Sequence, residues 1–149
     1  MRLALTAPVL VSALLSAASC VRATPLPVGD DADRHDLPAT RQDIQILELA
    51  DQLLSSPTVW NRSDTRECPP GATRISLFCA LQKASVQVLG VYEHRRVALQ
   101  EVRFLVDARG KDYPHRLMGF NNDPSTSFSD VKAVLRAALE RVQKRLKPS

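Results

Sequence analysis

The sequence has few of the residues on which catalytic and ligand-binding sites most often depend. Among 149 residues there are three cysteines, three histidines, one tryptophan, two tyrosines and four phenylalanines. The histidines, His35, His94 and His115, lie far apart and have no recognised zinc-ligand spacing. So few aromatic residues exclude the stacking surfaces of nucleic-acid-binding modules. We therefore expect no metal site, no cofactor and no nucleic-acid partner.

Charge and motifs narrow the function further. The formal net charge is +4, and removal of Arg2 with a leader would lower it by one. Such a charge is too modest to indicate a nucleic-acid binder. No catalytic motif and no internal repeat stands out in the rest of the sequence. The sequence therefore favours a non-enzymatic protein, although it does not decide whether there is an activity.

The first twenty residues have the pattern of a bacterial export signal. Arg2 precedes an uncharged apolar run at residues 3–15, and small residues at positions 16–19 lead to Cys20. This order resembles a lipobox, in which the cysteine receives the lipid. We interpret residues 1–19 as a signal peptide and Cys20 as the lipid-attachment site on the envelope membrane. The alternative is cleavage after Ala23, which would release a secreted protein.

The segment after the signal predicts a flexible tether over residues 20–39, followed by a helical domain over residues 40–149. The tether is rich in proline, glycine, aspartate and arginine. Such a composition cannot bury enough apolar surface to offset the entropy lost on ordering. The remaining chain has the length of one domain with one core.

Two cysteines remain once Cys20 is assigned to the lipid. In an oxidising compartment an even pair such as Cys68 and Cys79 most often forms a disulfide, which is our prediction. One alternative is a zinc site, for which two more ligands are missing. The other is a redox centre built from the same pair.

Hydrophobic periodicity predicts a mainly α fold, a compact bundle of about four helices. The predicted helices are residues 41–55 after a cap at Thr40, residues 75–90 up to Gly90, residues 96–109 before Gly110, and a last helix after a cap at Ser127. The alternative is an α+β fold with a short hairpin around residues 85–107, because apolar residues alternate there.

The segment at residues 112–124 holds the densest cluster of chemically able side chains. Its candidate functional residues are His115, Asn121, Asn122 and Asp123. His115 and Asp123 could form a general acid/base pair, because a carboxylate can orient an imidazole. Asn and Asp side chains before a capped helix more often bond backbone amides and hold the turn. We favour this structural role and assign no catalytic residue.

One combination of residues between positions 44 and 142 follows a known pattern. Its members are Trp60, Cys79-Ala80-Leu81 with Ala84, Asn122-Asp123, Thr126 and Asp130-Val131. In these residues the sequence resembles a small bacterial domain family of unknown function, although Asn121 stands where the family pattern has a tryptophan. The resemblance implies a compact helical fold and supplies no reaction, cofactor or partner.

Together these observations predict a non-enzymatic envelope protein. It would be a helical module on a lipid anchor that binds an envelope protein or a cell-wall component. The alternative is a small periplasmic hydrolase that uses His115 and Asp123, or a redox protein that uses Cys68 and Cys79. The sequence names neither the partner, the membrane leaflet nor the oligomeric state.

Overall fold

Five α-helices follow one another in residues 37–147, the part of the chain that this computed structural model describes. The prediction of a mainly α fold is confirmed, and the alternative hairpin around residues 85–107 is not formed. The predicted signal peptide, Cys20, Ala23 and the tether up to residue 36 lie outside the described residues. The helices are α1 (Arg41–Leu53), α2 (Leu77–Leu89), α3 (Val97–Asp107), α4 (Arg116–Asn122) and α5 (Phe128–Leu146).

Both predicted capping boxes are present at the starts of α1 and α5. The Thr40 amide donates to Asp43 Oδ2 at 2.9 Å, and the Ser127 amide donates to Asp130 Oδ2 at 2.9 Å. These reciprocal bonds fix the entry of the chain into each helix. α2 ends at Gly90, whose φ of 79° is the left-handed conformation that commonly terminates a helix.

One hydrophobic core lies between the long helices. α1 packs against α2 and α5, and α3 packs against α5. Each fully buried leucine or isoleucine stabilises the fold by about 1.5 to 3 kcal/mol relative to an exposed side chain. The fully buried leucine and isoleucine side chains include Ile46, Leu47, Leu81, Leu99 and Leu135. None of the helices in residues 37–147 is both long and apolar enough to cross a membrane.

The short helix α4 lies within residues 112–124, where the sequence analysis named no helix. It has seven residues and buries Leu117, Phe120 and Asn121. A helix of two turns shows too little periodicity to be recognised from the sequence. Gly119 makes its packing possible, because a Cβ there would lie 2.6 Å from the Tyr113 side chain.

The connection between α1 and α2 contains no helix and is held by bonds to its own two ends. The Asn61 amide donates to the Ile75 carbonyl at 2.9 Å, and the Ile75 amide donates to the Val59 carbonyl at 2.8 Å. The Arg74 guanidinium adds a bond to the Trp60 carbonyl at 2.9 Å. The connection is therefore closed into a loop at its base.

Buried ion pairs join the helices on both sides of α3. Asp43 of α1 is fully buried, and its carboxylate accepts bonds from the Arg96 guanidinium and from the Ala98 amide. Glu101 of α3 accepts from Arg145 at 2.6 Å and lies 3.5 Å from Arg141, both on α5. Buried carboxylates are tolerated when they are paired and hydrogen-bonded in this way.

The predicted disulfide between Cys68 and Cys79 is confirmed. The two Cα atoms lie 5.4 Å apart, and the bond links the α1–α2 connection to the first turn of α2. Cys79 is buried and belongs to the core, whereas Cys68 lies at its edge. The bridge therefore closes the second half of the same loop.

We expect loss of this disulfide to lower the free energy of unfolding by about 2 to 3 kcal/mol, because the bond limits the conformations of the unfolded chain. Urea unfolding of the Cys68→Ser/Cys79→Ser double variant, followed by Trp60 fluorescence, measures the change. Cys20→Ser replaces a cysteine outside the disulfide and should leave the unfolding curve unchanged. A double variant with the wild-type midpoint would show that the bond does not stabilise the fold.

Candidate functional site

The densest group of polar contacts surrounds Asn121, at the end of α4. Its side chain is fully buried, and its amide makes four hydrogen bonds, the full capacity of that group. Oδ1 accepts from Trp60 Nε1 at 2.8 Å and from the Leu77 amide at 3.0 Å. Nδ2 donates to the Asn61 carbonyl at 2.9 Å and to Asn122 Oδ1 at 3.1 Å. Asn121 therefore joins α4, the α1–α2 connection and the start of α2.

Trp60 is the apolar partner of this arrangement. Its ring is 4 % exposed and lies 6.0 Å, centroid to centroid, from the ring of Phe128 on α5. The Arg62 guanidinium lies 5.3 Å from the Trp60 ring centroid, in the position of a cation–π contact. Trp60 is therefore a core residue. Its bond to Asn121 satisfies the indole N–H, which would otherwise be buried without an acceptor.

Asn122 is exposed, and its side chain forms hydrogen bonds with the backbone of Asp64. Its Oδ1 accepts from the Asp64 amide at 2.7 Å, and its Nδ2 donates to the Asp64 carbonyl at 2.9 Å. The side chain thus bonds a backbone unit as a neighbouring strand would. Its function here is to attach the α1–α2 connection to α4.

Asp123 holds the turn between α4 and α5. Its Oδ1 accepts from the Ser125 amide at 2.8 Å and from Ser125 Oγ at 2.6 Å. Its Oδ2 accepts from Lys111 Nζ at 2.7 Å and from the Tyr113 hydroxyl at 2.6 Å. The bond from Lys111, followed by those from Ser125 and Tyr113, holds the pKa of the Asp123 carboxyl well below its usual range.

The pKa of Tyr113 is shifted upward, by burial and in part by the same bond to Asp123. Burial, together with the bond to the Asp123 carboxylate, raises the pKa of Tyr113 to about 12. The neutral hydroxyl is therefore kept as a donor to Asp123 at physiological pH. Asp130, in the capping box of α5, has its pKa lowered to about 2, mainly by its bond from the Ser127 hydroxyl. The pKa shifts of Asp123, Tyr113 and Asp130 therefore arise in part from the hydrogen bonds that hold the turn and the cap of α5.

Arg62 is part of the same cluster and was missed by sequence reasoning. Its Nη2 donates to the carbonyl oxygens of Asp123, Pro124 and Thr126, at 3.0 to 3.2 Å. These residues are more than 60 positions away in the sequence, and no local pattern signals such a contact. Arg62 therefore ties the α1–α2 connection to the turn before α5.

The structure does not assemble the candidate pair of His115 and Asp123. His115 is exposed at the N-cap of α4, and its imidazole makes no hydrogen bond or ion pair with residues 37–147. Both carboxylate oxygens of Asp123 are engaged by Lys111, Tyr113 and Ser125 instead. Asp123 therefore holds a turn and is not paired with His115.

A shallow groove of about 260 Å³ separates α1 from α5. Leu47, Leu135 and Leu139 form its apolar floor, while Glu48 and Arg136 stand at its rim. Asp51, which also lines it, is paired with Lys132 of α5 at 2.5 Å. The part of the chain that the structure describes contains no group of three or more His, Cys, Asp or Glu residues placed to hold a metal ion.

Comparison with known proteins identifies a family to which the chain is similar. The family described as "Family of unknown function (DUF6197)" matches residues 38–141. This match confirms the resemblance to a small family of unknown function. No curated protein and no solved structure matches the chain.

We expect Asn121→Ala to destabilise the domain by about 3 kcal/mol or more. The change strands the Trp60 indole N–H and the Leu77 amide in the core, and each buried unsatisfied group costs about 1 to 3 kcal/mol. Urea unfolding measures the loss. Asn61→Ala is the matched control, because that side chain bonds only the Ser63 backbone in an exposed turn. If both variants unfold at the wild-type midpoint, Asn121 is not the structural link described here.

We expect Asp123→Asn to reduce the loss in free energy of unfolding that occurs as the pH falls below about 4. A carboxyl whose pKa is lowered by folding stabilises the protein above its unfolded value of about 4, and this contribution is lost as the pH falls through the folded value. Unfolding midpoints measured from neutral pH down to acid test the slope. Glu48→Gln, an equal change of charge on the exposed face of α1, is the control. If Asp123→Asn leaves every midpoint unchanged but abolishes a partner contact or an activity, the loop is a functional site.

Proposed function

The chain belongs to the family of unknown function DUF6197, and we propose that it is a non-enzymatic, exported protein of the bacterial envelope. In this proposal a lipid on Cys20 anchors the chain to the membrane, and the helical domain acts as a binding or interaction module. Its partner would be an envelope protein or a cell-wall component. The proposal combines the leader at the N-terminus with the chemistry of the described domain.

The observation that carries the non-enzymatic part is the use made of the candidate side chains. The amide of Asn121 and the carboxylate of Asp123 have their hydrogen-bonding capacity filled by neighbours in the fold. A general base needs a free lone pair near a substrate proton. Because the cluster is occupied by its own turn, it supports a structural role and leaves the outer surface as the place for function.

The exported part is supported by the order of residues at the N-terminus and by the disulfide. A basic residue, an apolar run and a small-residue segment precede Cys20, as in lipid-modified bacterial proteins. The Cys68–Cys79 bond is of the kind that forms and persists in oxidising compartments. Secretion after cleavage at Ala23 is the alternative outcome of the test.

We expect the intact mass of the membrane-extracted protein to correspond to a chain that begins at Cys20 and carries lipid. Cys20→Ala is the control, because it removes the acceptor thiol while the domain is unchanged, and the lipid-modified mass should disappear. A mature species that begins at unmodified Thr24, found in the soluble fraction, would overturn the anchor and favour secretion.

A further inference from the structure

The N-terminus of the described domain lies at one end of the helix bundle, which we call the tether end. It consists of residues 37–41, 86–96 and 141–147. Thr40 Oγ1, just before α1, accepts from Arg96 Nη2 at 2.6 Å at the start of α3. The guanidinium of Arg145, near the end of α5, donates to the Leu37 carbonyl. The chain segment that leads back to Cys20 therefore joins the domain at this end.

The chain between α2 and α3 belongs to the same end. Ser85 Oγ donates to the Val91 carbonyl at 3.2 Å and accepts from the Glu93 amide at 3.2 Å, so this turn is folded back on the last part of α2. Val91 is 53 % exposed and Val86 is 44 % exposed. They are the exposed large apolar side chains of residues 37–147. Val91 lies in the turn that leads from α2 to Arg96, and Arg96 contacts Thr40 just before α1.

Exposed cations also lie at the tether end. Arg41, Lys144 and Lys147 are exposed, and no ion pair holds them among residues 37–147. Arg95 is also exposed, next to the N-cap of α3. Glu93 is the exposed acid of this end and lies 4.0 Å from Arg96. The exposed charged side chains of the tether end are therefore mostly cationic, and two exposed valines lie at the same end.

Helix dipoles explain only part of this charge. Lys144 and Lys147 lie at the C-terminal end of α5, where a cation is favoured by the dipole. Arg41 lies at the first position of α1, and Arg95 precedes the start of α3, where a cation is disfavoured by the same effect. The cations of the tether end therefore share a location rather than a role in helix stability.

We propose that the tether end is a membrane-contacting surface that binds anionic lipid headgroups. Surfaces that combine exposed apolar side chains with lysine and arginine are typical of proteins that lie on anionic membranes. The proposal rests on the proposed function in that the lipid on Cys20 brings this end to the membrane.

Electrostatic attraction then sets how often the tether end rests on the headgroups. Each cation near an anionic surface contributes enough to change the docking equilibrium constant about fivefold.

Hydrogen exchange of the mature protein on vesicles tests the surface directly. The natural chain, as isolated, is added to phosphatidylcholine vesicles with or without phosphatidylglycerol, so that any lipid anchor is common to both. We expect the backbone amides of residues 90–95 to be protected only on the anionic vesicles. High salt should remove this protection, because it screens exposed charges.

Charge and apolar variants identify the residues responsible. We expect the docking equilibrium constant to fall about fivefold in each of Arg41→Gln, Lys144→Gln and Lys147→Gln. It should also fall in Val91→Ser. Arg136→Gln is the matched control, an exposed cation on α5 outside the tether end. Unchanged thermal midpoints establish that the variants are folded.

Several outcomes would overturn the proposal. Equal protection on neutral vesicles, protection that depends on protein density and so reports a second copy, or protection elsewhere in the domain each excludes this surface. An equal loss of docking with Arg136→Gln would show that docking depends on net charge and not on this surface. The mass of the wild-type chain is independent of these results, so a failed anchor and a failed headgroup contact are distinguishable.

Discussion

The buried amide of Asn121 is the interaction on which the rest of the domain depends. It connects Trp60 and the Asn61 carbonyl, which belong to a connection without a helix, to the Leu77 amide at the start of α2. A buried amide with all four bonds made is specific to one arrangement of its neighbours, because any displacement leaves a polar group unsatisfied. The loop between α1 and α2 therefore has one conformation, and the disulfide closes it at the other side.

The long helices could be predicted from the sequence because each has its own local signal. α1 and α5 have capping boxes and wide apolar stripes, and α2 ends at a glycine in the left-handed conformation. α4 could not be predicted, since its seven residues are too few for a period and its packing depends on Gly119 against Tyr113. The interpretation of Asp123 as a turn residue agrees with its bonds to Ser125, which lies two positions away.

The centre of the candidate site could not be derived in the same way. Asn121 finds its partners 44 to 61 positions away in the sequence, and Arg62 finds its own at similar separations. Asparagine is usually exposed, so a stretch of two asparagines before an aspartate indicates a turn rather than a core residue. Only the tertiary arrangement shows that the first asparagine is buried and the second pairs with a backbone unit.

The residues that carry the family resemblance are largely those that build this arrangement. Trp60, Asn122 and Asp123 bond or pack within the domain, and Cys79 is part of the disulfide. Such a pattern specifies a fold, and function has to be argued from a site. Inside the domain, Arg96 and Arg145 are matched with Asp43 and Glu101, so these cations serve packing between helices. Arg41, Lys144 and Lys147 have no ion pair within residues 37–147 and lie outside the core, at the end where the chain continues toward its N-terminus.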